Sequence, residues 1–489
     1  MFEGGLKDDK FNLIHNANSL VDIVVRTPVG KTNSGSIKNF VLQGDVLAPI
    51  LCSKQIDTIG KECLEDKKYL YLYKKTVEIP PLTMVDDVLC ISECGFKTAM
   101  VNAFIQSKTA SKKLQFGGQK CKKIHIGKDR EEYKCQQLYV DSWSEVERVD
   151  TLEIEDKYNG EELMEEIDEA KYLGDLISKD WRNIRNIKLR VNKGKGIVQK
   201  IIHILEGIPF GKLYFEVAMI LRNTLLVSSV LCNSETWFNL TKAELDLLET
   251  VDVMLLRSIL GAPISTPKEM LYLELGVIPY RDIIRGRRLT FLHYILNQDP
   301  NSVIFKVLEA QIDNQTSKDW VTTVLEDLKA LELEATFADI RGIKKMKWKN
   351  IVKNIIKEKA LEHLNLRKQK HSKVNKLKHN KLEMQSYFLG NELNITKDEI
   401  RLIFQIRSRV IKIKSNMKGS FENYECEVCL KENESQEHIY NCIEIWKIRN
   451  EKRSFYNYNN IYTGDTKQKL EIARVFRQNM KIYDEMWKK

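Results

Sequence analysis

The 489-residue chain has no uninterrupted apolar run near the ~20 residues that a membrane-spanning helix needs. Its best stretch, Phe215 to Cys232, is broken by Glu216, Arg222 and Asn223. The start, Met-Phe-Glu-Gly-Gly-Leu-Lys-Asp-Asp-Lys, lacks the basic-then-apolar layout of a signal peptide. These absences predict a nuclear or cytoplasmic protein, not secreted and without a membrane partner. No fixed-period repeat is present. The chain is not short of apolar residues either. At 43% hydrophobic and 30% charged it is globular rather than disordered, and long enough for two to four domains. Ten cysteines in such a compartment read as thiols and metal ligands, not disulfides. Six of them (Cys52, Cys63, Cys90, Cys94, Cys121, Cys135) lack metal-ligand spacing and read as small core residues.

The net charge of +10 is unevenly spread. Residues 341–420 hold 22 Lys/Arg against six Asp/Glu, whereas 144–170 hold 12 acids against two bases. Such segregation predicts a polyanion docking at one region. From Arg367 to Lys381, Arg367, Lys368, Lys370, Lys373, Lys376, Lys378 and Lys381 occur without an acid.

Fold class follows from periodicity. Residues 1–143 read as mixed α/β. Phe11, Leu13 and Ile14 suggest a short helix, Leu20–Val25 a strand, and 50–64 a helix on Ile50, Leu51, Ile56, Ile59 and Leu64. Val77–Ile79 and 82–92 read as strands of a hairpin, and 122–127 as a further strand. The acidic segment 144–170 reads as a solvated linker. Residues 171–300 are helix-rich, 301–420 helical and basic, and 421–489 a small terminal module. Thr241 and Glu244 have capping-box spacing, and Gly261 with Pro263 ends the helix that they open.

Two patterns carry chemistry. Asp86-Asp87 lies between the apolar residues Leu82, Met84, Val85, Val88 and Leu89, unlike a plain surface turn. Neighbouring strand residues face opposite ways, so two adjacent aspartates serve one Mg²⁺ site together only at a hairpin turn. Gln43-Gly44-Asp45 precedes the helix near Ile50; Gly44 permits close approach of a nucleotide, and a helix start favours phosphate. Asp45 also reads as a helix N-cap. The second pattern is Cys426-x2-Cys429-x8-His438-x3-Cys442. Its paired knuckle thiols, with His438 and Cys442 on one helix face, form a closed tetrahedral structural zinc site.

In order and spacing, Leu42-Gln43-Gly44-Asp45-Val46-Leu47-Ala48-Pro49 and, 41 residues after Asp45, Met84-Val85-Asp86-Asp87-Val88 resemble motifs B and C of a reverse transcriptase. The resemblance is closest to non-LTR retrotransposons. The segment around Lys120 resembles motif D, and Tyr172-Leu173-Gly174 the primer grip of motif E. Ser234-Glu235-Thr236-Trp237, Leu260-Gly261 and Glu274-Leu275-Gly276 echo the helices behind the palm. A Cys-Cys-His-Cys module in this place also fits these elements.

The resemblance implies an α+β fold: a partial palm, then helix-rich thumb-like and basic regions, then the zinc module. It implies Asp86 as Mg²⁺ ligand with Asp87 beside it, Gln43, Gly44, Asp45 and Lys120 facing nucleotide or template, and RNA and DNA as partners. Motif C has Met84-Val85 where the family has Tyr-Ala, and Leu42 replaces an arginine in motif B. Upstream of Gln43 the only acids are Glu3, Asp8, Asp9 and Asp22, none suited to the aspartate of motif A. The expectation is therefore an N-terminally truncated RNA-directed DNA polymerase that binds nucleic acid without polymerising alone. The alternative is a non-enzymatic, zinc-dependent nucleic-acid-binding protein.

Overall fold

The computed structural model describes residues 48–487 apart from 112–113, 115, 118–119, 127–137, 149–152, 181, 372–373, 376, 378, 390–394, 418–422 and 452–455. Upstream it describes four two-residue strands, β1 Asp22–Ile23, β2 Arg26–Thr27, β3 Gly30–Lys31 and β4 Gly35–Ser36. The helix expected over Phe11–Ile14 and the tripeptide Gln43-Gly44-Asp45 lie outside the described residues.

The chain forms two compact units. The first comprises 1–172, 176–181 and 299–314; the second 173–175, 182–298 and 315–489. In the first, α1 (Ala48–Glu65) begins with Pro49 at its second position, where a missing N–H costs nothing. Its buried line is Ile56, Ile59 and Cys63, at helical spacing. Ile50 and Leu64, expected on the packed face, are exposed instead. Ile59 meets Val101 and Ile105 of α2 (Gly95–Ser111), with Tyr69, Val88 and Phe104 around them.

Among the described residues the strands pair in twos. β5 (Tyr71–Tyr73) pairs with β6 (Val77–Ile79), and β7 (Leu82–Met84) with β8 (Asp87–Leu89). The expected hairpin of 77–79 with 82–92 is thus two separate hairpins. β9 (Lys122–Lys123) lies parallel to β12 (Glu165–Glu166), matched by Lys122–Glu165 and Lys123–Glu166 ion pairs of 2.5 and 3.1 Å. The acidic segment is no loop. β10 (Tyr139–Arg148) and β11 (Glu153–Leu163) form an antiparallel ribbon with a bulge at Ser142/Trp143. Asn102 and Gln106 of α2 anchor it by donating to the Tyr139 carbonyl at 3.1 and 2.9 Å. β13 (Glu169–Tyr172) pairs with β14 (Asp175–Ser178). A late helix, α8 (Val303–Asp313), belongs to this first unit, where Gln311 donates to the Tyr73 hydroxyl at 3.2 Å. It therefore leaves the basic helical region 301–420 in which the sequence had put it.

The second unit is helical: α3 (Asn183–Glu206), α4 (Lys212–Leu221), α5 (Lys242–Leu260), α6 (Lys268–Leu275), α7 (Tyr280–Leu296), α9 (Trp320–Ala330), α10 (Phe337–Gly342), α11 (Lys345–Gln369), α12 (Lys397–Ser408), α13 (Gln436–Asn441), α14 (Ile443–Arg449), α15 (Asn460–Thr463) and α16 (Thr466–Trp487). The capping box opening α5 is present, with Thr241 Oγ1 accepting from the Glu244 N–H and Glu244 accepting from that of Thr241.

α4 continues through a π-turn, and Lys212–Val230 is long and apolar enough to cross a membrane by length and composition. Its Arg222, however, is buried in the helical core and holds Asp252 through two hydrogen bonds of 2.7 and 2.6 Å. Gly276 turns the chain between α6 and α7 at φ 66°, and a Cβ there would strike the backbone of Glu383 at 2.2 Å. Only glycine fits both demands.

One apolar core runs from Ile187 to Tyr483 and includes Leu256, Phe404, Cys426, Ile439, Cys442 and Phe476. The terminal module is therefore no separate small domain. Its residues share a core with the helices before it.

Candidate metal centre and the Asp86-Asp87 hairpin

Met84 pairs with Asp87, so Val85 and Asp86 form a two-residue turn at the tip of β7–β8. Val85 takes a left-handed conformation (φ 58°) and turns the chain. Both carboxylates are exposed. Thr83 donates to Asp57 of α1 at 2.9 Å, so the helix that begins three residues after Asp45 packs on this hairpin. Burial first, and the Asp87 carboxylate second, raise the Tyr172 hydroxyl above its ordinary value, which puts Tyr172 within electrostatic reach of Asp87. Lys120 is exposed in a short helical turn, its N–H on the Gly117 carbonyl at 2.9 Å. Leu173 and Gly174 fall in the second unit, where their carbonyls accept from Asn233 and Arg190 at 3.1 and 3.2 Å. Among the described residues, no third metal-ligating side chain gathers with Asp86 and Asp87.

Cys426, Cys429, His438 and Cys442 do gather: their ligand atoms lie within 4.8 Å of one another. Local structure explains this. The Cys426 N–H donates to the Glu432 carbonyl, the Leu430 N–H to the Cys426 carbonyl (both 2.8 Å), and Leu430 adopts φ 52°, closing the knuckle. Ser435 caps α13, accepting from the His438 N–H at 3.0 Å. Cys442 stands just past α13, at the junction with α14, rather than on the same helix as His438.

His438 Nε2 faces the Cys429 sulfur at 3.3 Å, and Nδ1 meets Glu432 at 3.0 Å. A carboxylate on the far nitrogen holds a ligating imidazole in orientation. As thiols, Cys426 and Cys442 share a hydrogen bond that pushes Cys426 up to about 11 and holds Cys442 below its ordinary value. The donor set is compatible with structural zinc. Tetrahedral Zn–S bonds of ~2.3 Å imply edges of ~3.8 Å, so small side-chain movements close the site. Around the knuckle, Ile439 and Trp446 are buried, Tyr424 is half-buried and Ile443 is exposed.

The basic run is only partly a surface. Lys368 is buried and donates to the Leu377 carbonyl, and burial lowers its ammonium to about 8. Lys373, Lys376 and Lys378 lie outside the described residues. The sequence signal was truer at the start of α11, where Lys345, Lys349 and Lys353 are exposed at four-residue spacing on one helix side. The core expectation for cysteine holds for Cys63; Cys90 is exposed, and Cys94 and Cys121 are half-buried.

The resemblance segments of the second unit have structural work. Arg190 lies over the Trp237 ring at 5.1 Å, and Glu274 is fully buried. Glu274 accepts from Arg407, His379 Nε2 (2.9 Å) and the Tyr387 hydroxyl (2.7 Å). Arg407 also donates to the Ile461 and Tyr462 carbonyls at 2.6 and 3.1 Å. No family model matches the chain, and no curated protein matches its sequence.

Proposed function

We propose that the chain is a nucleic-acid-binding protein on the pattern of a non-LTR retrotransposon reverse transcriptase, stabilised by zinc near its C-terminus. The observation that carries this reading is the position of Asp86 and Asp87 at the tip of a two-residue β-hairpin, the only setting in which adjacent aspartates converge on one metal site. Thr83 on Asp57, and Tyr172 within reach of Asp87, support it. Two-metal polymerases need further carboxylates to hold both Mg²⁺ ions. The described residues supply no third ligand at the hairpin, and the reading expects binding of RNA and DNA without primer extension. Zinc on Cys426, Cys429, His438 and Cys442 has a structural role, because four protein donors leave no open position.

A primer-extension assay with Mg²⁺ or Mn²⁺, run beside filter binding of the same primer–template, tests this. Binding without incorporation above an Asp86→Ala control is expected. Incorporation that Asp86→Ala abolishes would make the chain a competent polymerase, and absence of binding would remove the reading altogether. A second reading, a zinc-dependent nucleic-acid-binding protein with no polymerase ancestry, draws on the exposure of both aspartates. It expects Asp86→Ala and Gly44→Val to leave primer–template binding unchanged.

A further inference from the structure

We propose that the cleft between α12 and α16 binds a phosphodiester of a nucleic-acid strand, with Arg401 and Arg477 contacting its oxygens. The inference rests on the nucleic-acid-binding reading above and gives it a location.

The cleft has a volume of about 450 Å³ and is lined by Gly261, Asp398, Arg401, Gln405, Arg477 and Met480, among others. Arg401 and Gln405 stand one turn apart on α12, and Arg477 and Met480 three residues apart on α16. Each pair shares a helix face. Among the described residues neither arginine has a carboxylate partner, and the buried Nε of Arg401 has no acceptor. Other arginines of the unit are paired, although Arg257 and Arg281, outside this cleft, also carry a buried Nε without an acceptor. In the same unit Arg222 holds Asp252, Arg288 holds Asp327, Arg407 holds Glu274 and Arg474 holds Glu399. A guanidinium donor without an acceptor is costly to bury, and an oxyanion satisfies it.

Room for Arg401 is built into the backbone. Gly261 ends α5 at φ 61°, and a Cβ there would stand 2.5 Å from Arg401 Nε and 2.7 Å from its Cζ. The bare glycine lets the guanidinium lie against the helix end, where the carbonyl pole of the dipole favours a cation. Asp398 also lines the cleft and is exposed, so two cations against one carboxylate leave it net positive. Planar guanidinium forks match phosphate oxygens bidentately. The basic excess of residues 341–420 makes a nucleic-acid strand the matching polyanion.

The test uses the full zinc-loaded chain and fluorescence anisotropy with a labelled single-stranded RNA 15-mer across a salt series. Arg401→Gln/Arg477→Gln should weaken binding about ten-fold and reduce the slope of log K against log salt by ~1.4, two phosphates' worth. Gln405→Glu, which adds a carboxylate without removing either arginine, should weaken binding in the same direction with unchanged circular dichroism and zinc content. Lys345→Gln/Lys353→Gln probes the lysines of α11 separately. If wild type binds RNA, the lysine variant weakens it and both cleft variants bind as wild type does, the cleft assignment falls and the nucleic-acid reading stands. If wild type binds no RNA at low salt, both fall. Inorganic phosphate at constant ionic strength supplies the last arm. Should it raise the melting temperature of wild type but not of the double arginine variant, while RNA affinity ignores the same substitutions, the cleft holds a small anion and the phosphodiester assignment is overturned.

Discussion

Val85 shows how a single residue can mark a site. A β-branched side chain at φ 58° is strained, because its Cβ crowds the following carbonyl. Val85→Gly should therefore raise stability by about 1 kcal/mol, read as a higher urea midpoint at unchanged slope. A lower midpoint would mean that Val85 packing outweighs the strain. Glu274 is the opposite case, a charge fully out of water. Burial alone would raise its carboxyl, but Arg407 and His379 hold it well below its ordinary 4.5. The contribution of Glu274 is thus complete above pH 4.5 and is lost as pH falls toward the depressed folded value. Glu274→Gln should cost about 3–5 kcal/mol at pH 7, because Arg407 is left buried without its counter-charge. The same substitution should flatten the acid limb of the stability–pH curve, and chemical denaturation at stepped pH checks both. The sequence showed Glu274-Leu275-Gly276 only as a motif fragment; that its acid is a buried hub depends on Arg407, 133 residues away.

At the scale of elements, capped helices were legible and strand pairings were not. Thr241 with Glu244 and the Gly261 stop bounded α5 correctly, since caps are local chemistry. The acidic ribbon β10–β11 escaped because the acid-rich stretch that holds most of it reads as solvated loop, while its anchor is Gln106 on a helix more than 30 residues earlier. The zinc pattern was legible as four spaced donors. Its integration was not, for Cys426, Cys442, Ile439 and Phe404 lie in one core. Chelation should therefore lower stability by about 4 kcal/mol relative to protein held with free zinc a thousand-fold above Kd. Trp446, buried with its indole donating to Tyr440, reports the change. Its fluorescence and the far-UV signal should melt together in the chelated protein. A separate early Trp446 transition would show a module that folds by itself. Cys442→Ala should remove zinc and reproduce the chelated state.

For the whole molecule, charge segregation is the feature with the clearest consequence. The exposed Lys345, Lys349 and Lys353 should add to the salt dependence of nucleic-acid binding, each phosphate contact contributing about 0.7 to the slope on a single strand. Lys368→Gln should leave that slope unchanged, because its ammonium is turned onto the Leu377 carbonyl and away from any surface. A slope lowered by this substitution would mean that the basic run opens to reach its partner.

Sequence by itself determined what depends on neighbours along the chain: the helix cap of Thr241 and Glu244, the four spaced metal donors, and the surplus of cations in 341–420. Each is settled within a few residues of backbone. Tertiary structure decided which of these groups face water and which face one another. It turned Lys368 inward, left Arg401 and Arg477 without a carboxylate partner among the described residues, returned Val303–Asp313 to the first unit, and set Glu274 among Arg407, His379 and Tyr387. Those outcomes depend on burial and on partners distant in sequence, and the energy of a charge depends far more on its surroundings than on its neighbours along the chain.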